Sequence, residues 1–236
     1  AQAPYLGHKR RRWPHGGINR SLIREGGENY PAGSLVIPLN NEVGELVNVQ
    51  LIRADGTKRY LHGGQKAGAF HRIEGGELVA VVEGFATGLS IHQATGATVY
   101  CAMDCGNLMV VAQIARRQHP KARILLCGDH DEHTQGNPGK NKAEQAAAAI
   151  GGLVALPPVA GDWNDYHQAH GLTATKGAVM STSTAPVTSN QVNEKDLTVG
   201  QTLGGITKSQ GETAKQSKDA SQKEWAPWQA EVVPLH

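Results

Sequence analysis

The spacing of apolar and polar positions changes twice along the chain and predicts three regions. Short apolar runs separated by polar turns come first, SLVIPL at 34–39, LVNVQLI at 46–52 and KRYLH at 58–62. An Asp-Gly pair lies between the second and third runs, which is a strong hairpin signal. This region therefore predicts an antiparallel meander of β-strands, and residues 19–25 before it predict a short helix.

From residue 77 onward, continuous apolar runs alternate with segments of helical periodicity. The runs ELVAVV, TVYCAM, ARILLC and LVAL predict strands at 77–82, 98–103, 122–127 and 153–156. The segments between them predict helices at 85–96, 108–119 and 141–150, with Asn107 as a candidate N-cap of the second helix. Because strands buried on both faces and separated by helices form parallel sheets, we expect an α/β fold with a mostly parallel, four-stranded central sheet.

After about Gly171 the sequence becomes rich in Ser, Thr, Gln, Lys and Gly. Such a segment has too few large apolar side chains to offset the entropy lost on ordering, so we expect a disordered tail. The predicted organisation is a small, basic, β-rich subdomain at 1–76, an α/β catalytic domain at 77–171 and a flexible linker or tail at 172–236.

Composition narrows the class of protein only slightly. The chain has 236 residues, a net charge of +2 and an apolar fraction of 39%, and the polar tail lowers that fraction. The densest basic run is KRRR at 9–12, followed by Trp13. A basic run beside an aromatic ring suits phosphate contact and base stacking, and it is equally compatible with solvated surface.

The cysteines and the hydropathy indicate an intracellular protein. Cys101, Cys105 and Cys127 are odd in number and two of them lie in strand-like runs, so we expect buried free thiols and a cytoplasmic location. The sequence contains no Cys-x-x-Cys pair, no 18-residue apolar run and no secretion signal, so neither a zinc ribbon nor a membrane span is predicted. The chain begins at Ala1 and not at Met, which suggests a processed product or a fragment.

The candidate metal-binding carboxylates follow three different predicted α/β strands. Glu83 follows the first strand, Asp129 and Asp131 follow the third, and Asp162 and Asp165 follow the fourth. The carboxyl ends of neighbouring parallel strands meet at one edge of a sheet, where ligands bind. Carboxylates held together repel one another unless a cation lies between them. The pattern therefore predicts a divalent-metal site, in which oxygen ligands favour Mg²⁺ or Mn²⁺.

Two other interpretations of this loop remain open. An isolated Asp-x-Asp pair after a strand is also typical of a plain polar loop. His130 and His133 would allow zinc, although zinc sites are usually built from closely spaced His and Cys without a surplus of carboxylates. We expect both imidazoles to lie on the loop surface or to touch substrate.

These motifs resemble the Toprim domain that primases, topoisomerases and related nucleases share. The resemblance rests on Glu83-Gly84 after one strand, on Asp129-His130-Asp131 after another and on the βαβα order around them. The stretches LHGGQKAGAFHRI, AMDCGNL and GDWNDYHQ are more specifically similar to the Toprim DNA primases of conjugative plasmids and some phages. The resemblance covers roughly residues 30–170 and implies a Toprim fold.

The resemblance also implies an activity, which is metal-dependent synthesis of short RNA primers for plasmid or phage replication or conjugal transfer. The expected partners are single-stranded DNA, ribonucleoside triphosphates and a helicase or relaxase. Glu83 matches a metal-linked or acid/base group, Asp129 and Asp131 match metal ligands, and Asp162 or Asp165 takes the place of a later acid. Two metal ions would activate the 3′-hydroxyl and neutralise the triphosphate.

The candidate nucleic-acid or nucleotide contacts are basic residues. Those before residue 77 resemble the basic half of a primase core that holds the template, and those after the Asp-x-Asp loop could meet triphosphate or DNA backbone. Ordinary surface charge is the alternative for each of them. They are Arg53, Lys58, Arg59, Lys66, Arg72, Lys140 and Lys142.

Two hypotheses for the function remain, one an enzyme and the other a non-catalytic module. The first is an active primase, which intact Glu83, Asp129 and Asp131 favour. The second is a non-catalytic Toprim module within a larger relaxase or helicase polypeptide, which the missing upstream zinc module favours. A Toprim nuclease or topoisomerase is a third, within the enzyme class, although Tyr100 and Tyr166 are expected to be packing residues and not nucleophiles.

Overall fold

A computed structural model gives the fold of residues 17–131, 134, 136–182 and 232–234. The basic run at 9–12 with Trp13, the loop residues Glu132 and His133, and most of the predicted tail lie outside the described residues. All of the candidate site residues lie within them.

Antiparallel strands occupy the first part of the fold. They are β1 (Gly17–Asn19), β2 (Ile23–Glu25), β3 (Glu28–Tyr30), β4 (Leu35–Asn40), β5 (Leu46–Ile52) and β6 (Lys58–Tyr60). The predicted meander is confirmed, because β4, β5 and β6 pair in antiparallel order. The helix predicted at 19–25 is wrong, because Gly26 and Gly27 adopt φ angles of 57° and 80° and turn β2 back onto β3.

The predicted α/β sheet is confirmed and gains one strand. Its strands are β7 (His71–Ile73), β8 (Gly76–Val82), β9 (Ala97–Cys101), β10 (Ile124–Cys127) and β11 (Leu153–Ala155), in the spatial order β11-β10-β8-β9-β7. Strands β8 to β11 are parallel, whereas β7 pairs antiparallel with β9 at the edge. The crossover helices are α1 (Phe85–Thr95), α2 (Leu108–Gln118) and α3 (Pro138–Ile150).

A longer helix than expected follows the sheet. Helix α4 (Trp163–Thr182) bends at Gly171, where φ is 80°, and packs against α1. The sequence placed a flexible tail from residue 172, whereas the helix continues for a further three turns because Thr175 and Val179 are buried. The last described strand, β12 (Val232–Pro234), pairs antiparallel with β1.

The apolar core lies on both faces of the parallel sheet. On one face Val82 and Cys101 pack with residues of α1 and with Trp163, and on the other face Val81 and Tyr100 pack with α2 and α3. The first cluster also contains apolar residues of β4 and β5, so the meander and the parallel sheet share one core. Within the described part of the chain, every helix is too short or too polar to cross a membrane.

The expected packing roles of individual residues agree with this core. Cys101 and Cys127 are buried free thiols, and Cys105 is partly exposed. Tyr100 is fully buried, and its hydroxyl donates to Gln118 Oε1 at 2.6 Å. Trp163 is also fully buried and anchors the loop before α4.

Candidate active site at the carboxyl edge of the parallel sheet

Glu83 and Asp129 leave the sheet from neighbouring strands. Val82 is paired with Cys127, so the residues that follow β8 and β10 emerge at the same edge. Helix α3 lies close to this edge because Gly128 has no side chain: a Cβ there would lie 2.7 Å from the Cβ of Ala143. The local sequence therefore brings two carboxylates and a helix together.

The carboxylates at this edge perturb one another. Burial, together with the charges of Glu83, Asp162 and Asp131, raises the pKa of Asp129 to about 7. Burial also raises the pKa of Glu83. The positive charges of Lys58 and Lys142 oppose that change, and the negative charge of Asp131 adds to it. The Oδ1 atom of Asp129 is buried without a hydrogen-bond partner. The structure thus groups the four predicted acids Glu83, Asp129, Asp131 and Asp162 in an edge that we call the acidic edge.

The loop that carries Asp131 is held at two points. Backbone hydrogen bonds of 3.0 Å in both directions join His130 to Gly161, in the loop before α4. The N–H of Asp131 donates to Asn137 Oδ1 at 3.1 Å, and the same oxygen accepts from the N–H of Lys140 at 3.4 Å. Asn137 adopts a left-handed φ of 42°, which asparagine tolerates better than most residues. The two acidic loops and the start of α3 therefore form one connected unit.

The donor chemistry of the acidic edge fits a hard divalent cation. Such an ion takes carboxylate oxygens as ligands, and it would give Asp129 Oδ1 a partner and offset the mutual repulsion. Over residues 17–131, 134 and 136–182, no three His, Cys, Asp or Glu side chains lie close enough to hold one ion. The acids are therefore grouped, but they do not converge on a single point. His130 Nδ1 lies 3.2 Å from the carbonyl oxygen of Pro157.

Asp104 also reaches the acidic edge, from the turn after β9. Met103 adopts a φ of 65°, a backbone conformation that is uncommon for a residue with a side chain. The carboxylate of Asp104 accepts a hydrogen bond from the N–H of Gly106 at 2.7 Å and begins the short 3₁₀ turn Cys105–Asn107. The charge of Asp104 raises the pKa of Glu83, so the turn faces the same edge.

Asn107 occupies the predicted N-cap position of α2, but its side chain forms no capping hydrogen bond there. Its buried side chain accepts from the N–H of Gly68 at 2.8 Å and donates to the carbonyls of Ala69 and Ala102 at 2.8 and 3.0 Å. These bonds fasten the loop that carries Lys66 to the end of β9. Gly68 and Ala69 are 39 and 38 positions away from Asn107, so the sequence around Asn107 does not indicate these hydrogen bonds.

Tyr60 is a candidate site residue that the sequence did not indicate. Burial, together with the charges of Asp104 and Glu83, raises its pKa to about 12. The ammonium of Lys66 lies over its ring, 4.9 Å from the centroid. These two residues and Asp104 line a cavity of about 250 Å³ beside the acidic edge, together with Ala67, Gly106, Asn107 and Val110. Tyr60 was overlooked because one aromatic residue in KRYLH is equally typical of a half-buried strand.

The predicted cations divide into two groups. Lys58 and Lys142 lie near enough to Glu83 to lower its pKa, and Lys58 also lowers the pKa of Asp129. With Lys66 in the cavity, three of the candidates surround the acidic edge.

The other candidate cations are engaged by neighbouring residues. Arg53 forms ion pairs of 2.9 and 2.8 Å with Glu28 and Asp55, and Arg59 lies beside the turn at Gly26. Arg72 pairs with Glu74 at 2.7 Å, and Lys140 lies 3.8 Å from Glu144. These four do not share the surroundings of Lys58, Lys66 and Lys142.

Comparison with known proteins finds similarity to one domain family and to two curated proteins. Residues 78–173 match the family described as the Toprim domain. The chain is 36% identical over 153 residues to a DNA primase TraC of Escherichia coli, which covers 61% of this chain and 10% of that protein. A second Escherichia coli DNA primase TraC is 36% identical over 140 residues, which covers 55% and 13% of the two chains. The chain thus spans about a tenth of the length of these curated relatives.

Solved structures with a similar chain trace include the RNA polymerase domain of the Mycobacterium tuberculosis primase DnaG. That structure has 17% identity and a TM-score of 0.48, and the match covers 68% of this chain and 59% of the other. A DnaG primase catalytic domain bound to single-stranded DNA has 12% identity and a TM-score of 0.49, with 69% and 56% covered. Residues 78–173 of the chain are thus similar to the Toprim domain, and a stretch of 153 residues is similar to the DNA primase TraC.

Proposed function

We propose that this chain carries the nucleotidyl-transfer centre of a DNA primase, which joins ribonucleotides into a short RNA primer on single-stranded DNA. The observation that carries the proposal is the grouping of four acids, Glu83, Asp129, Asp131 and Asp162, around a buried carboxylate oxygen that has no partner. The similarity to TraC supports a setting in plasmid or phage replication or conjugal transfer.

The metal in this proposal is Mg²⁺ or Mn²⁺, and Asp129 and Asp131 would hold it, with Glu83 and Asp162 beside them. When bound, it supplies positive charge that stabilises the developing negative charge of the phosphoryl group. The raised pKa of Glu83 suits its carboxylate to accept the proton of the attacking 3′-hydroxyl. The bonds between His130 and Gly161 keep the two acidic loops at a fixed separation.

The incoming ribonucleotide is proposed to bind on the side of the cavity that contains Tyr60. Tyr60 and Lys66 line this cavity, and the Lys66 ammonium, which lies over the Tyr60 ring, offers a positive charge for phosphate. Lys58 and Lys142 flank Glu83 and would face the remaining phosphate charge. The template strand would then lie along the same edge.

A primer-synthesis assay tests the proposal. The full chain is incubated with single-stranded DNA, labelled ribonucleotides and Mg²⁺ or Mn²⁺, and short RNA is the expected product. The substitution Asp129→Ala should reduce the rate by at least about 100-fold, because the central acid is lost. The matched control is Glu77→Gln, an exposed acid at the opposite end of β8, which should leave the rate unchanged.

The products also separate the alternatives. Degraded DNA in place of RNA would support a Toprim nuclease. Neither product, with DNA binding retained, would support a non-catalytic module of a longer helicase or relaxase polypeptide.

A further inference from the structure

Lys142 and Cys105 form a side-chain contact across the acidic edge. The ammonium of Lys142, in the second turn of α3, donates to Cys105 Sγ at 2.8 Å, although the two residues are 37 positions apart. Helix α3 follows β10, the turn with Cys105 follows β9, and β8 lies between those two strands. The contact therefore crosses the carboxyl end of β8, which is where Glu83 lies.

We propose that Cys105 is a positioning residue, whose thiol holds the Lys142 ammonium over the end of β8 to receive the triphosphate of the incoming nucleotide. This inference rests on the proposed function and adds a residue to it. The hydrogen bond to Cys105 also raises the pKa of Lys142.

A lysine at this edge needs a partner to keep it in place. Its side chain has four rotatable bonds, and ordering such a chain on ligand binding costs conformational entropy. The carboxylates of Glu83 and Asp104 both attract Lys142. Without the thiol, the ammonium would settle on one of those carboxylates and leave the position that faces substrate.

Sulfur is suited to hold a lysine that must later be released. A thiol is a weak hydrogen-bond acceptor, whereas a phosphate oxygen forms a charge-assisted bond with an ammonium. The nucleotide can therefore take Lys142 from Cys105 at little cost. A carboxylate in the place of Cys105 would hold Lys142 more tightly and would add negative charge to an edge that already repels phosphate.

The test measures both the binding of ATP with Mg²⁺ and the KM and kcat of primer synthesis, with the full chain. Cys105→Ala should weaken ATP binding and raise KM by about 3- to 10-fold, with kcat changed by less than about 2-fold. Cys105→Ser keeps an acceptor for the ammonium and should stay within about 2-fold of the wild type. Lys121→Ala, an exposed lysine before β10 at the other end of the strand, is the control for loss of a cation.

A double substitution separates positioning from a general structural effect. If Cys105 acts through Lys142, Cys105→Ala should have no further effect on ATP binding in a Lys142→Ala background. An equal penalty in both backgrounds would contradict the inference. The unfolding temperatures of all variants show whether they are folded.

The outcomes distinguish this inference from the proposed function. A wild type that makes RNA, with KM unchanged in Cys105→Ala, overturns the positioning role alone. A wild type that makes no RNA but binds ATP more tightly than Cys105→Ala retains the positioning role and overturns the proposed function. A wild type that does not bind ATP overturns both.

Discussion

At the scale of a single residue, the buried carboxylate of Asp129 is proposed to bind metal, and its burial should lower the stability of the metal-free fold. Its pKa of about 7 exceeds the value of 3.8 for a free side chain, so the folded state binds a proton more tightly than the unfolded state. Without metal, stability should therefore fall as the pH rises from about 4 to 7 and stay low above that range. Asp129→Asn removes this loss, and in metal-free buffer at pH 8 it should stabilise the protein by on the order of 2 kcal/mol, while activity is lost.

Urea unfolding at pH 5 and pH 8, in the presence and absence of Mg²⁺, measures this effect. Added Mg²⁺ should stabilise the wild type at pH 8 and leave Asp129→Asn unchanged, because the ion interacts with the charged carboxylate. Glu77→Gln is again the control, since it removes an exposed acid. Asp129→Asn no more stable than the wild type at pH 8 would show that the carboxylate is not destabilising.

At the scale of elements, the start of α3 fits closely against the acidic loop. A Cβ on Gly139 would lie 2.8 Å from the carbonyl oxygen of Asp129 and 2.9 Å from Asp131 Oδ2. Gly139→Ala should therefore displace either the helix or the loop, at a cost of about 1–3 kcal/mol. Because both aspartates move, primer synthesis should fall by at least about 10-fold.

Gly177 provides a matched control within a helix. A Cβ on Gly177 in α4 would meet nothing within 4 Å, so Gly177→Ala should be neutral or stabilise the fold by up to about 1 kcal/mol. Thermal unfolding and primer assays compare the two variants. If Gly139→Ala and Gly177→Ala have the same unfolding temperature and the same rate of primer synthesis, the close packing of α3 against the acidic loop contributes to neither stability nor activity.

At the scale of the whole molecule, the β-meander contributes a charge to the α/β domain. Lys58 on β6 lowers the pKa values of both Glu83 and Asp129. Lys58→Ala should raise both pKa values, so the acid limb of the pH–rate profile should move to higher pH. The shift should be a few tenths of a unit, because Lys58 is exposed and solvent screens its charge. An unchanged acid limb, equal to that of Lys121→Ala, would contradict this coupling.

The extension of α4 beyond residue 171 belongs to the same scale, because it closes the main core. Val179 is fully buried there, whereas Leu172 is 44% exposed. Val179→Ala should lower the free energy of unfolding by about 1–3 kcal/mol. Leu172→Ala should change it by less than about 0.5 kcal/mol, as surface substitutions do. Equal effects in chemical denaturation would show that the extension does not contribute to the core.

The features predicted from the sequence are those that depend on local pattern. Strands β8 to β11 are recognisable because burial on both faces makes them continuously apolar, and the acids were placed by the rule that parallel strands end at one edge. Strand β7 was missed because HRI is short and has a polar centre. The hydrogen bonds of the Asn107 side chain and the burial of Val179 depend on residues far away in the sequence, so they can be seen only in the structure.

Strand β7 has one further consequence, which concerns self-association. It covers the side of β9 that would otherwise present a row of unpaired backbone N–H and C=O groups. Its own outer side is short and carries the charged Arg72, which discourages another strand from adding there. A piece of this protein that started at residue 77 would expose β9 as an open template, and copies of that piece would be prone to aggregate through it.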